Sequence, residues 1–571
     1  MMYRTALKLP SLKKRFTIPM QCSLYSTKSY TLRSPNQTIE IPHASIPEFL
    51  FENCCKFPHK IAMECTVTGR KYTYEELRKK SINFSRAITQ KLKLRKGEVV
   101  AIFLPNVPEF PIALLAILNA GLIATTLSPL SKSEEIRQHL SDSGSKAIIT
   151  TCTLFSLANT YRSLLKIPVV TIKTTKDDTT PEGSINFLEL TDTSFDKDKD
   201  IIVNSTDFAM IPYSSGSTGL PKGVLHTHYS LLANLIQINT PEVKVLETAT
   251  VNYQDIVPAI TTFAHYYGFH TTMLNALFTM SRLVTVQNFS PDTFIKVFDK
   301  HKPTVIYVVP TIIFFIINNE MIKQSHLASL RTTYSAAAPL SALDQERLSK
   351  KSGKNLLVMQ GYGTSESGII SCNQICNPRL GSVGVPVSNT EIKIVQDQGA
   401  MSDDNSKSLI KGELLVRGPQ LMCGYYKRPE ETTKTLVDGW LKTGDIFYYE
   451  ESKNLCVVDR IKDIIKVKGY QVAPAELEDV IRGYPNVERA AVIGIPHNTY
   501  GEVPRAYITL KPKTKVNIDE LNQFVASKVS NYKKIQGGIV VVEDLPANLL
   551  GKTLRRSLKS EYLKSLERIN S

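Results

Sequence analysis

This sequence of 571 residues has no CxxC pair, no uninterrupted apolar run of the length of a membrane span, and no acidic residue near its start. The nine cysteines form no CxxC pair, and Cys372 and Cys376 have no matching Cys/His pair. A disulfide scaffold is therefore excluded, a zinc site is not expected, and free thiols in a reducing compartment are expected. The longest apolar run, 110–127, is interrupted by proline and glycine and barely reaches the ~20 residues that a membrane span needs. It predicts a buried core helix that follows a strand at 99–104.

No acidic residue precedes Glu40, while residues 1–39 carry seven of the basic side chains that contribute to the net charge of +16. The segment is also rich in serine and threonine, and this composition is typical of a mitochondrial transit peptide. We therefore expect import into the mitochondrial matrix, with a disordered basic tail on a cytoplasmic protein as the alternative. No apolar core follows the charges as in a secretory signal, and residues 568–571 do not match a peroxisomal address.

Apolar stretches typical of strands alternate with amphipathic helix candidates through the first two thirds of the chain. Strands are predicted at 146–150, 167–172 and 304–309, and helices at 132–143 and 291–300. This alternation predicts an α/β fold with parallel sheets. The polar stretch 173–199 is interpreted as a surface excursion. After Arg460, shorter elements rich in lysine and glutamate predict a small α+β domain.

A loop rich in glycine and serine carries the first chemical signal. Residues 213–224, YSSGSTGLPKGV, follow the strand-like run 208–212, and the amides, hydroxyls and Lys222 of such a loop can surround phosphate oxygens. It is not a Walker loop, because proline and glycine flank the lysine where glycine and Ser/Thr are required. The Gly-Lys-Thr at 551–553 fails the same test, since a proline occupies the place of the first glycine.

This string resembles the signature of adenylate-forming enzymes, the group of acyl-CoA synthetases, 4-coumarate–CoA ligases and beetle luciferases. Further segments resemble that family's motifs, in the same order, over roughly residues 45–565. They are 360–366 (QGYGTSE), 440–445 (WLKTGD), 458–463 (VDRIKD), 466–478 (KVKGYQVAPAELE), 501–504 (GEVP) and 546–555. Several long motifs in one order are far more specific than a single loop.

The resemblance implies a reaction in two steps. A carboxylic acid and ATP give acyl-AMP and pyrophosphate, and the thiol of CoA then displaces AMP. The implied fold has a large N-terminal domain of layered sheets and helices (40–458), a hinge at 459–462 and a small mobile α+β domain (463–571). Rotation at the hinge, which includes Asp459 and Lys462, lets each step use a different face of the small domain. The implied acid is aromatic or a medium-to-long-chain acid of lipid metabolism.

By the same resemblance, each motif contributes residues that bind ATP. The β- and γ-phosphates are assigned to Ser214, Ser215, Gly216, Ser217, Thr218, Gly219 and Lys222. The AMP part is assigned to Ala336, Ala337, Gly361, Tyr362, Gly363, Ser365, Asp445, Arg460 and Gln471. Within that set Tyr362 stacks on adenine, Asp445 accepts from the ribose hydroxyls and Ser365 contacts the α-phosphate. Glu366 is expected to help hold Mg²⁺, which prefers carboxylate and phosphate oxygens.

The remaining assignments concern the acid and the thiol. Lys552 is the expected adenylation lysine, and Lys466 is its counterpart in the thioester step. The CoA side is assigned to Lys468, Gly469 and Tyr470, and the acyl pocket to His265, Tyr266, Tyr267 and Thr364. His265 is expected near the acyl carboxylate. Tyr266 stands where relatives often have glycine and Thr364 replaces a commoner apolar residue, so both are expected to affect the choice of acid.

Other functions stay open at this point. A luciferase-like adenylating oxygenase needs no additional motif, and a carrier-protein loading enzyme is possible although no carrier domain is fused here. A non-catalytic nucleotide-binding regulator fits less well with a chain that keeps Lys552 and Glu366. The basic charge favours anionic partners, but nucleic-acid binding is not expected because no aromatic-plus-basic RNA motif is present. The oligomeric state and the identity of the acid are open.

Overall fold

The computed structural model describes residues 29–570, except 176, 198–199, 215–220, 397–410, 469, 498 and 548–552. Strands β1 to β29 of this part are, in chain order, Ser29–Arg33, Ile61–Cys65, Lys71–Thr73, Val99–Phe103, Ile123–Thr126, Ala147–Thr151, Val169–Ile172, Ile185–Asn186, Phe208–Ile211, Tyr213–Ser214, Lys222–Thr227, Ile256–Ala259, Arg282–Thr285, Val305–Val308, Thr332–Ser335, Leu357–Thr364, Gly368–Cys372, Val385–Pro386, Glu391–Val395, Lys411–Arg417, Gly424–Tyr425, Leu436–Val437, Trp440–Tyr449, Leu455–Arg460, Ile465–Val467, Tyr470–Val472, Val487–His497, Gly501–Leu510 and Ile539–Val541. Helices α1 to α15 are Ile46–Cys54, Tyr74–Gln90, Glu109–Asn119, Ser133–Ser143, Phe155–Leu165, Phe187–Asp192, His228–Gln237, Asn275–Phe278, Pro291–His301, Pro310–Asn318, Ala342–Ser352, Pro429–Thr435, Pro474–Arg482, Ile518–Lys528 and Arg555–Asn570. A π-helix covers Tyr267–Leu274, and a 3₁₀ turn covers Asn531–Lys533.

A mainly parallel sheet forms the centre of the large domain. Its strand order is β10-β11-β9-β5-β4-β6-β7-β8, with β21 added to β11. The strands from β9 to β8 run parallel to their neighbours, and all five residues of β4 are buried. Val100 and Ile102 pack into one apolar cluster, and Ala101 and Phe103 pack into another. Both faces of the sheet are therefore covered, which is the α/β layering that the sequence predicts.

Two stretches differ from the sequence-based prediction. The apolar run 110–127 is not one helix: α3 ends at Asn119, Gly121 adopts a φ of +67°, and β5 follows. A helix and a strand that are both buried on every side read as one apolar run, and only the left-handed glycine marks the boundary. The polar stretch 173–199 contains β8 and α6, and the Phe187 ring contacts Phe84 at 4.8 Å. Among the described residues, no helix is long and apolar enough to cross a membrane.

The first described strand joins a six-stranded antiparallel sheet of order β1-β19-β20-β23-β22, with β24 added to β23. Tyr30 of β1 lies opposite Ile394 of β19. Farther along, the amide and carbonyl of Ile39 bond to the side chain of Asn389 at 3.1 and 2.7 Å. Residues 29–39, which the sequence places in the basic tail, are therefore part of the large domain in the structure.

The small domain is built on a sheet of order β26-β25-β28-β27, with β29 added to β28. Helices α13 and α14 cover it, and they bury Leu477, Ile481, Leu521 and Val525 in one apolar cluster with strand residues such as Val492. A large α/β domain followed by a small α+β domain is the predicted fold class, and it is confirmed.

A buried carboxylate ties four segments of the large domain together. Asp255 accepts hydrogen bonds from the Glu247 amide at 2.7 Å, the Tyr253 hydroxyl at 2.6 Å, the Thr304 hydroxyl at 2.6 Å and the Arg331 guanidinium at 3.0 Å. Asp255 is fully buried. Its charge is acceptable there because donors surround it, and each donor depends on it in turn.

We expect Asp255→Ala to lower the free energy of unfolding of the large domain by about 3 kcal/mol, because it leaves buried donors and the Arg331 charge unpaired. Urea unfolding followed by tryptophan fluorescence and circular dichroism measures the change. Asp299→Ala is the control, since that carboxylate is half-exposed and approaches only Lys302 and His326 at 3.9 and 3.8 Å. Equal losses of unfolding free energy in the two variants would show that the buried contacts of Asp255 contribute no more than those of an exposed carboxylate.

Candidate active site

A cavity of about 2850 Å³ lies between the large and small domains. The large domain contributes its phosphate-loop strands, the start of the π-helix and the ends of β15, β16, β23 and β24, and the small domain contributes β25, β26 and the segment before α15. The predicted site residues on its wall are Ser214, Lys222, His265, Tyr266, Tyr267, Ala336, Ala337, Gly361, Tyr362, Gly363, Thr364, Ser365, Glu366, Asp445, Asp459, Arg460, Lys462, Lys466, Tyr470 and Gln471. Residues taken from motifs up to 257 positions apart thus surround one space.

Some assigned residues are not brought to this wall. Lys468 is absent from it, and its ammonium lies 4.0 Å above the Tyr500 ring. Others lie outside the described residues, so their roles stay predictions. They are Ser215, Gly216, Ser217, Thr218, Gly219, Gly469 and Lys552.

The two strands that flank the loop assigned to phosphate binding are paired with each other. Ser214 of β10 lies opposite Lys222 of β11 in an antiparallel pair, so the two residues close the base of the loop. The Ser214 hydroxyl is buried and has no hydrogen-bond partner in the part of the chain that the structure describes. An unpartnered hydroxyl on a cavity wall is available to an incoming acceptor such as a phosphate oxygen.

Tyr213, the first residue of the motif, is fixed by a cluster that sequence reasoning missed. Its hydroxyl donates to Asp142 at 2.6 Å, and Arg428 donates to the other oxygen of the same carboxylate at 2.7 Å. The His139 ring lies 3.9 Å from the Tyr213 ring. Asp142 and Arg428 are 286 positions apart and belong to no motif, so no local signal could have joined them.

The end of the cavity that the motifs assign to the nucleoside contains one tyrosine bonded to one carboxylate. The Tyr362 hydroxyl donates to Asp445 Oδ2 at 2.6 Å, and the Arg460 Nε lies 3.3 Å from the other oxygen. Burial and the neighbouring Asp445 charge raise the pKa of Tyr362 well above its usual range, so the hydroxyl stays protonated and donates. Asp445 and Arg460 are register partners in β23 and β24. The arrangement presents a carboxylate beside an aromatic ring, as a ribose and its base require.

Two glycines of β16 are required by close packing at this end. A Cβ on Gly361 would lie 1.7 Å from the Tyr334 hydroxyl, and one on Gly363 would lie 2.2 Å from the Gly368 carbonyl oxygen. Ala337 follows β15 in a left-handed conformation, with a φ of +72° that non-glycine residues rarely adopt. Strained backbone of this kind is common at ligand sites, because surrounding structure must hold it in place.

Glu366 and Ser365 follow directly after β16. Glu366 Oε1 accepts from the Tyr425 hydroxyl at 3.0 Å, and Lys222 places its ammonium 5.1 Å from the same ring. His226 Nε2 lies 2.8 Å from the Ser365 carbonyl oxygen, so it is the donor of this bond. Burial lowers the pKa of His226 to about 4, which keeps its ring neutral. His226 thus holds the main chain at Ser365, and like Asp142 and Arg428 it belongs to no motif that the sequence analysis singled out.

The acyl end carries polar atoms without partners. His265 Nε2, the Tyr266 hydroxyl and the Thr271 hydroxyl are buried and have no hydrogen-bond partner among the described residues. All three residues line the cavity. The Tyr266 ring packs against His270 at 4.8 Å, whereas Tyr267 uses its hydroxyl on main-chain carbonyls. Burial lowers the pKa of His265, so its imidazole is neutral at pH 7.

Thr364, which is also assigned to the acyl pocket, differs from these residues because its hydroxyl is paired. Its hydroxyl is 3.0 Å from the Ser367 hydroxyl, so it has a partner within its own turn. Sequence reasoning did not single out Thr271, which lies on the π-helix five positions after Tyr266. A π-helix has i→i+5 hydrogen bonds, which bring residues five apart to one face, and it is often found at functional sites.

The small domain presents two segments to the cavity. Lys466 of β25 is exposed on the wall, and Tyr470 of β26 stacks on Tyr532 at 4.6 Å. On the other side, Ala547 and Thr553 pair with each other, and both line the cavity. These two residues flank the predicted adenylation lysine.

The hinge is anchored by Asp459 of β24. Its carboxylate accepts from the Ala475 amide at 3.0 Å and from Arg555 at 3.2 Å. Arg555 also donates to Glu478 at 2.9 and 2.8 Å. Lys462, the other predicted hinge residue, is exposed. The sequence identified Asp459 but gave Arg555 no role.

Family comparisons agree with this geometry. The model of the AMP-binding enzyme family matches residues 50–426, and the model of the AMP-binding enzyme C-terminal domain matches residues 476–552. The chain is 32% identical over 565 residues to a 4-coumarate–CoA ligase-like protein of Arabidopsis thaliana, covering 95% of this chain and 99% of that one. The chain belongs to the AMP-binding enzyme family.

Two further similarities extend this result. A 4-coumarate–CoA ligase of Solanum tuberosum is 31% identical over 552 residues, covering 95% of this chain and 98% of that one. The crystal structure of the anthranilate CoA ligase AuaEII with anthranoyl-AMP has a TM-score of 0.82 at 24% identity and covers 93% of this chain and 99% of its own. It shows the same fold. The chain is thus an adenylate-forming enzyme of the acid–thiol ligase class, with ATP and CoA as the family's co-substrates.

We expect Asp445→Asn to raise the KM for ATP about tenfold, because the amide loses the charge that faces Arg460 and accepts hydrogen bonds more weakly than a carboxylate. Initial rates of pyrophosphate release at varied ATP concentrations measure this change. Glu451→Gln, in the exposed turn between β23 and β24, is the control and leaves the KM unchanged. An unchanged KM in Asp445→Asn would remove Asp445 from the nucleotide site.

Proposed function

We propose that this enzyme converts a carboxylic acid, ATP and CoA into an acyl-CoA, AMP and pyrophosphate through an acyl-adenylate. The observation that supports this most directly is the shared cavity of the Tyr362–Asp445–Arg460 group, the phosphate-loop stem and His265. An adenosine at Asp445 and phosphates at Ser214 and Lys222 leave the His265 end for the acid. The reaction joins two anions, so it depends on positive charge and on positioning.

The acid in this proposal is aromatic or has a medium-to-long chain, and the polar atoms of the acyl end favour the aromatic class with a polar substituent. Tyr266 and Thr271 each have a buried hydroxyl that finds no partner among the described residues, and a hydroxyl or carbonyl on the acid can satisfy it. A plain saturated chain leaves both unsatisfied, and sites built to hydrogen-bond a substrate discriminate strongly against analogues that lack the group. The relatives named for 4-coumarate and anthranilate agree with this choice.

Magnesium is part of the proposal through Glu366. No group of three His, Cys, Asp or Glu side chains within the described ranges could hold a metal ion by itself. A lone carboxylate beside a phosphate site fits Mg²⁺, which is usually held by one or two carboxylates together with substrate phosphates. The ion would neutralise charge on the phosphates.

ATP–pyrophosphate exchange tests the first half-reaction and names the acid. The panel contains propionate, octanoate, palmitate, benzoate, cinnamate and 4-coumarate. We expect exchange with an aromatic acid, and Lys552→Ala should lower it by about 100-fold or more, as expected when a group that stabilises the transition-state charge is lost. Lys564→Ala is the matched control, because that lysine is exposed on α15.

Adding CoA then separates the alternatives. Thioester formation supports the ligase, whereas exchange without a thioester favours an adenylating oxygenase or a carrier-loading enzyme. Absence of exchange with every acid, despite ATP binding, contradicts the proposal and favours a nucleotide-binding regulator. Equal exchange with cinnamate and 4-coumarate contradicts the role of the polar atoms at the acyl end.

We also propose a mitochondrial location, supported by the basic, acid-free composition of the first residues. Because β1 starts at Ser29, the targeting information should lie within residues 1–28. A fluorescent protein fused to residues 1–28 is expected to enter mitochondria as efficiently as one fused to 1–39. A variant of 1–28 with its six basic residues changed to glutamine is the control and should stay in the cytosol. A cytosolic 1–28 fusion contradicts the proposal.

A further inference from the structure

An arginine at the end of α13 connects the small domain to the large domain away from the hinge. Arg482 Nη1 donates to Asp344 Oδ2 at 2.6 Å, and its guanidinium carbon lies 5.0 Å from the centre of the Phe314 ring. Asp344 is in the first turn of α11, and Phe314 is on α10. Asp344 and Phe314 both belong to the large domain, so Arg482 makes a contact between the two domains.

The Arg482–Asp344 contact is largely shielded from water. The Arg482 side chain is 14% exposed and the Asp344 side chain 5%. The Ser341 hydroxyl donates to the same Asp344 oxygen at 2.6 Å, and Asp479 pairs with Arg482 from its own helix. Arg347 also lies 3.6 Å from Asp344, so Arg482 and Asp344 are the central members of a group of four charges, and their contact is the one in it that joins the domains. Removing either charge breaks this contact and leaves the other charge paired within its own domain.

The position of the pair makes it sensitive to rotation. Arg482 follows Ala475, the residue held by Asp459, by seven positions on α13, which is about 10 Å along the helix. Any rotation of the small domain at 459–462 therefore carries Arg482 away from Asp344 and Phe314.

The Arg482–Asp344 pair is present in one of the two arrangements of the small domain that the two half-reactions require. Ala547 and Thr553, which flank Lys552, line the cavity. Lys468, which is assigned to the CoA side, is instead over Tyr500 and does not line it. Lys466 and Tyr470, which are assigned to the thioester step, line the cavity in the same arrangement. Because the residues that flank the adenylation lysine line the cavity while Lys468 does not, we assign this arrangement to the first half-reaction.

We propose that Arg482 and Asp344 are positioning residues that hold the small domain in the adenylate-forming arrangement, so that their separation is a required part of the change to thioester formation. The inference rests on the proposed function. Neither side chain needs to touch the substrate, because the pair acts by setting where the segment around Lys552 lies. Weakening it should slow the first half-reaction without slowing the second.

Trypsin tests the contact without any substrate. Arg460 and Lys462 are cleavage sites at the hinge. The Lys462 side chain is exposed, but the main chain beside it is held by a hydrogen bond from the Ile461 amide to the Gly444 carbonyl at 3.0 Å, which must open before cleavage. In the full-length chain without ligands, we expect Asp344→Asn and Arg482→Gln each to speed cleavage after Lys462 about fivefold, because a docked domain protects the hinge until it opens.

Arg379→Gln is the matched control for this experiment. Arg379 pairs with Glu450 at 3.2 Å, and both residues are in the large domain, so its loss leaves hinge cleavage unchanged. Thermal unfolding of each variant confirms that the chain is folded. Cleavage rates in Asp344→Asn and Arg482→Gln equal to that of the unchanged protein would overturn the proposal.

The two half-reactions provide the second test. With an acid that supports exchange, ATP–pyrophosphate exchange should fall about fivefold in Arg482→Gln, whereas the conversion of the synthetic acyl-adenylate by CoA should be unchanged or faster. Equal losses in both steps would show a merely structural role and overturn the proposal. If the unchanged protein exchanges with no acid, the proposed function fails, while the cleavage rates still decide whether the pair holds the domain.

Discussion

The site depends on one buried carboxylate at the boundary between the domains. Asp459 ends the sheet of the large domain, binds the amide that opens α13 and pairs with the arginine that opens α15. Burial raises the pKa of Asp459, and the charge of Arg555 opposes this effect. Since Arg460 and the rest of the hinge directly follow Asp459, the same interaction positions a residue of the predicted nucleotide site and the domain that is expected to move.

A site of this kind has to combine rigidity with access. The large domain supplies rigidity through buried polar contacts such as Tyr362–Asp445 and the Asp142 cluster around Tyr213, which fix side chains without filling the cavity. Access comes from the small domain, which contacts the large domain in part through ion pairs such as Arg482–Asp344 and Arg555–Asp459. Ionic contacts between domains can be broken and remade in water more readily than an apolar interface of the same size.

Sequence reasoning recovered the fold, and twenty of its candidate residues lie on one cavity wall, for identifiable reasons. Buried parallel strands such as β4 read as apolar runs, and motif segments such as 360–366 resemble a known family. Sequence reasoning failed where two buried apolar elements follow each other directly and where a contact joins residues far apart in the chain. The apolar run 110–127 hides a change from helix to strand, and the Asp142–Arg428 and Arg482–Asp344 pairs join residues 286 and 138 positions apart.

The pairing of β1 with β19 has a consequence for the order in which the chain is made. Tyr30 needs Ile394 as its neighbour, so the first described strand cannot be completed until most of the chain has left the ribosome. Until then the main-chain groups of Ser29–Arg33 are solvated. The fold thus leaves this strand without its partner throughout the longest part of synthesis.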